Sequence, residues 1–188
     1  MERVVAIKLL TFCGHHPGNI YGGKGAAWIQ QKAVALFHLA TDSMGVLVLT
    51  DLRDSKAGCA PEALREYILK KLPNPPKTFL CRFAVNELKS WLLADRKGLA
   101  SFMGISETKM PQCPENEAFP KEKLVSLAHS SRRKRIREGI APPAGHYSDV
   151  GPEYTSALSE FINNFWDIES AMLHAPSLKR CVSRLREL

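Results

Sequence analysis

Carboxylates gather where two aliphatic segments end: Asp51 and Asp54 follow Val46-Leu47-Val48-Leu49-Thr50, and Glu87 follows the segment Phe79 to Val85 and Asn86. In an open parallel sheet, ligands bind in the crevice at the carboxyl ends of the strands, so acids placed there read first as a site. Magnesium takes hard oxygen ligands, keeps several waters and needs only one or two carboxylates from the protein. Asp51 and Asp54 are therefore candidate metal ligands and catalytic acids, with Glu87 a further ligand or a general base. Each has a structural alternative. Asp54 can cap a turn, and Glu87 at the start of a helix is favoured by the helix dipole without doing any chemistry. Asp95, at the far end of that helix, is expected to cap the next one.

Other residue sets carry weaker signals. Gly18-Asn19-Ile20-Tyr21-Gly22-Gly23-Lys24-Gly25 has the glycine content of a loop whose N–H groups cradle phosphate, and it fits P-loop spacing as far as Lys24. Gly25 then stands where a Ser or Thr should hold magnesium, and Phe12 lies too far upstream, so a degenerate nucleotide binder ranks third among the functional readings. His15 and His16 are adjacent, yet no second His or Cys motif completes a zinc set. There is no Gly-x-Ser-x-Gly elbow, and the five cysteines are scattered, which reads as reduced structural thiols. The strongest basic feature is Arg132-Arg133-Lys134-Arg135-Ile136-Arg137; Arg133 and Arg137 share a helical face, and guanidinium groups suit phosphate forks.

The elements that must position these residues alternate. Val4 to Phe12 reads as a buried strand, Ala26 to Ala40 as a helix, Gly45 to Thr50 as a strand, and Pro61 to Leu72 as a helix opened by proline. Phe79 to Val85 is the third expected strand, with Asn86 capping a helix from Glu87 to Ala94. Alternation of this kind implies an α/β fold with a parallel or mixed sheet flanked by helices. Beyond Asp95 the sequence is mostly helical, so residues 1–95 are expected to form the α/β core and 96–188 a helical C-terminal part packed on it as one unit. Pro142 to Pro152 is the longest clear loop; it contains His146, leads to Tyr154, and could close over a site. Trp28, Trp91 and Trp166 sit in apolar helical patterns and are expected in the core.

The chain has 188 residues, 45% hydrophobic and 24% charged, which fits a folded globular protein and excludes collagen-like, coiled-coil and globally disordered classes. No signal peptide or membrane-crossing run is evident, so a cytoplasmic location is expected and a membrane partner is not. A net charge of +7 favours a polyanionic partner, DNA or RNA.

At Gly22-Gly23-Lys24, Leu49-Thr50-Asp51-Leu52-Arg53-Asp54, Val85 to Asp95 and Val150-Gly151-Pro152-Glu153-Tyr154 the chain resembles a bacterial family of unknown function grouped with Toprim-like proteins. The resemblance implies a Toprim-like fold, in which acids at strand ends hold Mg2+ or Mn2+ against a phosphodiester, with Asp51 matching the first aspartate of an Asp-x-Asp pair. Arg53 occupies the spacing of the second, and Asp54 comes one residue late. The glutamate such proteins carry after their first strand has no counterpart, because Thr11 to Gly25 contains no acid. Either Glu87 has taken over or the chemistry is lost. The resemblance further implies an ATPase partner and a role in defence against phage.

The leading expectation is thus a magnesium-dependent nuclease acting on nucleic acid, with Asp51, Asp54 and Glu87 at the metal and Lys24, Arg132, Arg133 and Arg137 on flanking phosphates. The alternative is a non-catalytic basic module that binds nucleic acid or an ATPase partner.

Overall fold

The computed structural model describes residues 1–22, 25–55, 57–143, 145 and 147–188. Lys24 and His146, both expected at the site, lie outside the described residues.

A small parallel sheet is the organising element. β1 (Val46–Asp51) and β2 (Phe79–Ala84) pair in register from Val46 with Phe79 to Asp51 with Ala84, so both strands end side by side. Alternation along each strand gives the sheet two different faces. Val46, Val48, Phe79, Cys81 and Phe83 pack against Ile29 and Ala33 of α2 (Gly25–Leu39) and against Ala63 and Ile68 of the connecting helix. That connection begins as α3 (Ala60–Leu64), opened by Pro61, and relaxes into a wider π turn at Arg65–Leu69. Leu47, Leu49, Leu80 and Ala84 face the opposite way, into the larger core.

The larger core is helical. It is built from α1 (Glu2–Phe12), α4 (Leu88–Ala94), α5 (Arg96–Met103), α6 (Pro120–His129), α7 (Lys134–Ile140), α8 (Tyr154–Asn164), α9 (Ile168–Met172) and α10 (Pro176–Leu185). One contiguous cluster joins Val5 and Leu9 to Leu80 and Ala84, and these to Trp91, Phe161 and Leu185. Trp91 is fully enclosed; its indole N–H donates to Ser177 Oγ at 2.7 Å. The architecture is mixed α/β, mainly helical, with the two-stranded sheet between helical layers.

The first expected strand is a correction. Val4 to Phe12 is helical, because its two fully buried residues, Val5 and Leu9, stand four apart on one helical face. Apolar Val4, Ala6, Ile7 and Leu10 around that stripe hide the period and make the run look like a buried strand. The glycine-rich stretch at Gly18 to Gly25 therefore follows a helix and not a strand, which removes the strand–loop–helix setting that a P-loop requires. The sheet has two strands among the described residues, where three were expected. No described helix is long and apolar enough to cross a membrane.

Candidate functional site

The turn between β2 and α4 builds the site. Asn86 sits at φ 61°, in the left-handed region that asparagine tolerates better than most residues. Its side-chain amide donates to the carbonyls of Glu115 (2.8 Å) and Glu117 (2.9 Å), while its own carbonyl accepts from Arg53 N at 3.1 Å. Asn86 therefore does not cap the helix, as the sequence suggests. It locks the turn, and Glu87 takes the position before the helix, which starts at Leu88. The cap comes from the neighbouring strand: Asp51 Oδ1 accepts from Leu88 N at 2.7 Å. An exposed N–H at a helix start attracts an anion, and the parallel register delivers Asp51 there.

Both strand-end acids turn to the same ammonium. Lys89 Nζ lies 3.7 Å from Asp51 Oδ2 and 3.4 Å from Glu87 Oε2, and the three side chains are only 12–15% exposed. Glu87 Oε1 accepts from Arg53 at 2.8 Å, and the Arg53 guanidinium lies over the exposed Phe119 ring, 5.0 Å from its centroid. Burial is the main cause that lifts the Asp51 carboxyl from 3.8 to about 6, offset by Lys89 and the Leu88 N–H and reinforced by the like charges of Asp54 and Glu87. Asp51, with its carboxyl raised to about 6, is the acid of this pair that takes up a proton close to neutrality.

Asp54 is exposed at the end of a 3-10 turn (Leu52–Asp54) and acts on Asp51 as a neighbouring like charge. Tyr154 opens α8 and is buried, with a hydroxyl that makes no hydrogen bond among the described residues. Burial first, then the charges of Glu87, Glu122 and Glu2, hold its pKa above the ordinary value, so it keeps its proton. Tyr154 is thus a neighbour of the acid cluster through the field of Glu87, placed there by the Gly151 turn: Gly151 N donates to Ile140 O, and Glu153 N donates to Gly139 O, both at 2.8 Å.

The basic run is largely committed to the protein itself. Arg133 donates to Phe102 O at 3.1 Å, Arg137 to Ser131 O at 2.8 Å, and Arg135 pairs with Glu160 and Glu153. Each guanidinium of the expected phosphate-facing pair Arg133 and Arg137 thus gives one N–H to a main-chain carbonyl, and Arg133 stays exposed beside Arg132. Arg132 and Lys134 remain exposed. Asp95 behaves as expected, capping α5 through Gly98 N at 3.0 Å; it also accepts from Asp167 N at 2.9 Å. Cys81 and Cys181 are buried, which pushes both thiols up to about 12 and keeps them from acting as nucleophiles.

Lys89, Arg53 and Phe119 are the site members that the sequence reading missed. The available signal was Lys89 two residues after Glu87, and Arg53 at the spacing expected of the second acid. Among the described residues, no group of three or more His, Cys, Asp or Glu side chains is placed to hold a metal ion. The donor set is the pair Asp51 Oδ2 and Glu87 Oε2, which suits a hard cation that retains most of its water. Compared with protein-family models, with curated proteins and with solved structures, the chain matches none.

Proposed function

We propose that the protein is a magnesium-dependent, Toprim-like nuclease that cuts phosphodiesters in nucleic acid. The observation that supports this reading best is the convergence of Asp51 and Glu87, from the ends of adjacent parallel strands, on one positive group, the Lys89 ammonium. Asp51 and Glu87 are the residues that would hold Mg2+, and the ion bound there would stabilise charge on the scissile phosphate and favour an attacking hydroxide. Lys89 neutralises the two acids, and with Mg2+ held by them its ammonium would be free for a phosphate oxygen. Arg53, half-exposed over Phe119, presents a guanidinium fork at the rim, and the exposed Phe119 ring offers a face for a base. Asp54 adds negative potential for the ion. Exposed Arg132 would supply a phosphate contact along the nucleic-acid strand, as would Lys24 on the sequence reading.

A second reading is favoured by a specific observation: each acid is already compensated, Asp51 by Leu88 N–H and Lys89, Glu87 by Arg53 and Lys89. On that reading the protein is a basic module that binds nucleic acid, or an ATPase partner in phage defence, without cutting. Cleavage of labelled single- and double-stranded DNA and RNA with Mg2+ or Mn2+, in wild type, Asp51→Ala and Glu87→Ala, separates the two. The nuclease requires metal-dependent cutting lost in both variants. No cutting, with salt-sensitive binding kept in all three proteins, establishes the module.

A further inference from the structure

A cleft of about 460 Å3 opens where the turn after α5 meets the turn between α6 and α7, lined by Gly104, Ile105, Ser106, Arg132 and Arg133. The two turns are tied together. Buried Ser131 donates its hydroxyl to Met103 O and accepts from Arg133 N at 3.0 Å, while Arg133 Nη1 donates to Phe102 O at 3.1 Å. Gly104 ends α5 at φ 66°, and the Arg133 side chain crosses it so closely that a Cβ there would stand 3.1 Å from Arg133 Cγ. One guanidinium is thus held at the cleft, with Nη2 unpartnered among the described residues. The other, that of exposed Arg132, meets no acceptor among them. No carboxylate lines the cleft, and that of Glu107, next to Ser106, faces Arg96 at 3.8 Å. Both charges therefore stand uncompensated, unlike those of Arg53 and Arg135, which meet glutamates. Ser106 Oγ and Thr108 Oγ1 lie 2.8 Å apart and share one hydrogen, so a second hydroxyl hydrogen is left for a ligand. Ile105, half-buried against the main core, gives the cleft an apolar side.

We propose that this cleft binds a phosphate monoester together with the nucleoside that carries it. Two guanidinium groups with no carboxylate between them favour a dianion. A monoester carries about 1.5–2 negative charges at neutral pH, whereas a phosphodiester inside a strand carries one. The arginines present paired N–H groups to the phosphate oxygens, and the Ser106–Thr108 hydroxyl pair supplies a further donor. The volume is more than a phosphate alone fills and falls within the ordinary range of small-molecule clefts, about 300–1,000 Å3, which leaves Ile105 for the sugar or base. The cleft shares no residue with the cluster of Asp51, Glu87 and Lys89. Such a monoester has two sources, the phosphorylated end of a strand and a free nucleotide. The first rests on the nucleic-acid reading of the protein, and the second does not.

The probes are a short single-stranded DNA, fluorescein-labelled at its 3′ end and carrying a 5′-phosphate or a 5′-hydroxyl, and adenosine 5′-monophosphate. In EDTA, which silences metal-dependent cutting, the intact protein should bind the phosphorylated strand about tenfold more tightly than its hydroxyl twin. That preference should shrink from pH 7 to pH 5, as the monoester loses its second charge with a pKa of about 6. Arg132→Gln, at an exposed position, should remove the preference with an unchanged circular dichroism spectrum, and Arg132→Lys should restore only part of it. In calorimetry, adenosine 5′-monophosphate should bind wild type and not Arg132→Gln, and adenosine should bind neither. A 5′-phosphate preference that Arg132→Gln abolishes assigns the cleft to strand ends. Arg132-dependent binding of the monophosphate without such a preference assigns it to free nucleotides; if no strand binds at all, the nucleic-acid reading alone has failed. Equal binding of the two strands with no Arg132-dependent binding of the monophosphate overturns the proposal and leaves the nucleic-acid reading standing. A preference that survives in Arg132→Gln, or binding of no probe, overturns it as well.

Discussion

Asp51 makes the stability of this protein depend on pH in a way that a surface aspartate would not. Its carboxyl titrates at about 6 in the folded protein against 3.8 when free, so between those values the folded state holds more protons than the unfolded one. Stability then falls as pH rises through this window, because the unfolded chain has already ionised. A rise from 3.8 to about 6 corresponds to on the order of 3 kcal/mol at full development, for a side chain only 14% exposed. Asp51→Asn cannot ionise, so its stability relative to wild type should climb by about that amount between pH 4 and pH 7. Using the difference between the two proteins cancels Asp95, whose pKa burial also raises and which slopes in the same direction. Urea denaturation at half-unit pH steps provides the curve. Lys89→Met should stretch the window above pH 6, since Lys89 is the largest influence pulling the Asp51 carboxyl down. A difference curve that is flat, or that falls with pH, refutes the claim that burial dominates at Asp51.

Three further outcomes follow from the packing. Asp95→Ala strips the acceptor from both Gly98 N and Asp167 N, and should cost about 3 kcal/mol in chemical denaturation. Gly151→Ala would place a Cβ 2.4 Å from Gly139 O, a backbone atom that cannot swing aside, and should cost about 1–3 kcal/mol with a lower melting temperature. Cys59 and Cys113, both exposed, should react with a thiol reagent at once, whereas Cys81 and Cys181 should react only as the protein unfolds.

Both strands were legible in the sequence because each is a short aliphatic run bounded by turn residues, and Pro61 marks a helix start that the structure keeps. Val4 to Phe12 was not, since an apolar run with one buried face looks the same in either period when its exposed residues are also apolar. α9 is a single turn-and-a-half held by Asp167 and carries too little pattern to read. At the site, the acids were legible from their place after strands, but their partners were not. Leu88 N–H, Lys89 and Arg53 meet Asp51 and Glu87 only through strand register and a left-handed Asn86, both properties of the folded chain. For Arg133 and Arg137 local spacing shows a shared face, and it takes the tertiary structure to show the carbonyls of Phe102 and Ser131 that they also meet.

The central claim, that Asp51 and Glu87 jointly hold a divalent cation, is tested most directly by the Mn2+ electron paramagnetic resonance signal during titration of the protein. Wild type should quench free Mn2+ saturably and in competition with Mg2+, more strongly at pH 7 than at pH 5, where the Asp51 carboxyl is mostly protonated. Asp51→Asn and Glu87→Gln should each abolish the quenching while keeping the fold. Quenching that survives both substitutions, or none in the wild type at either pH, would contradict the account.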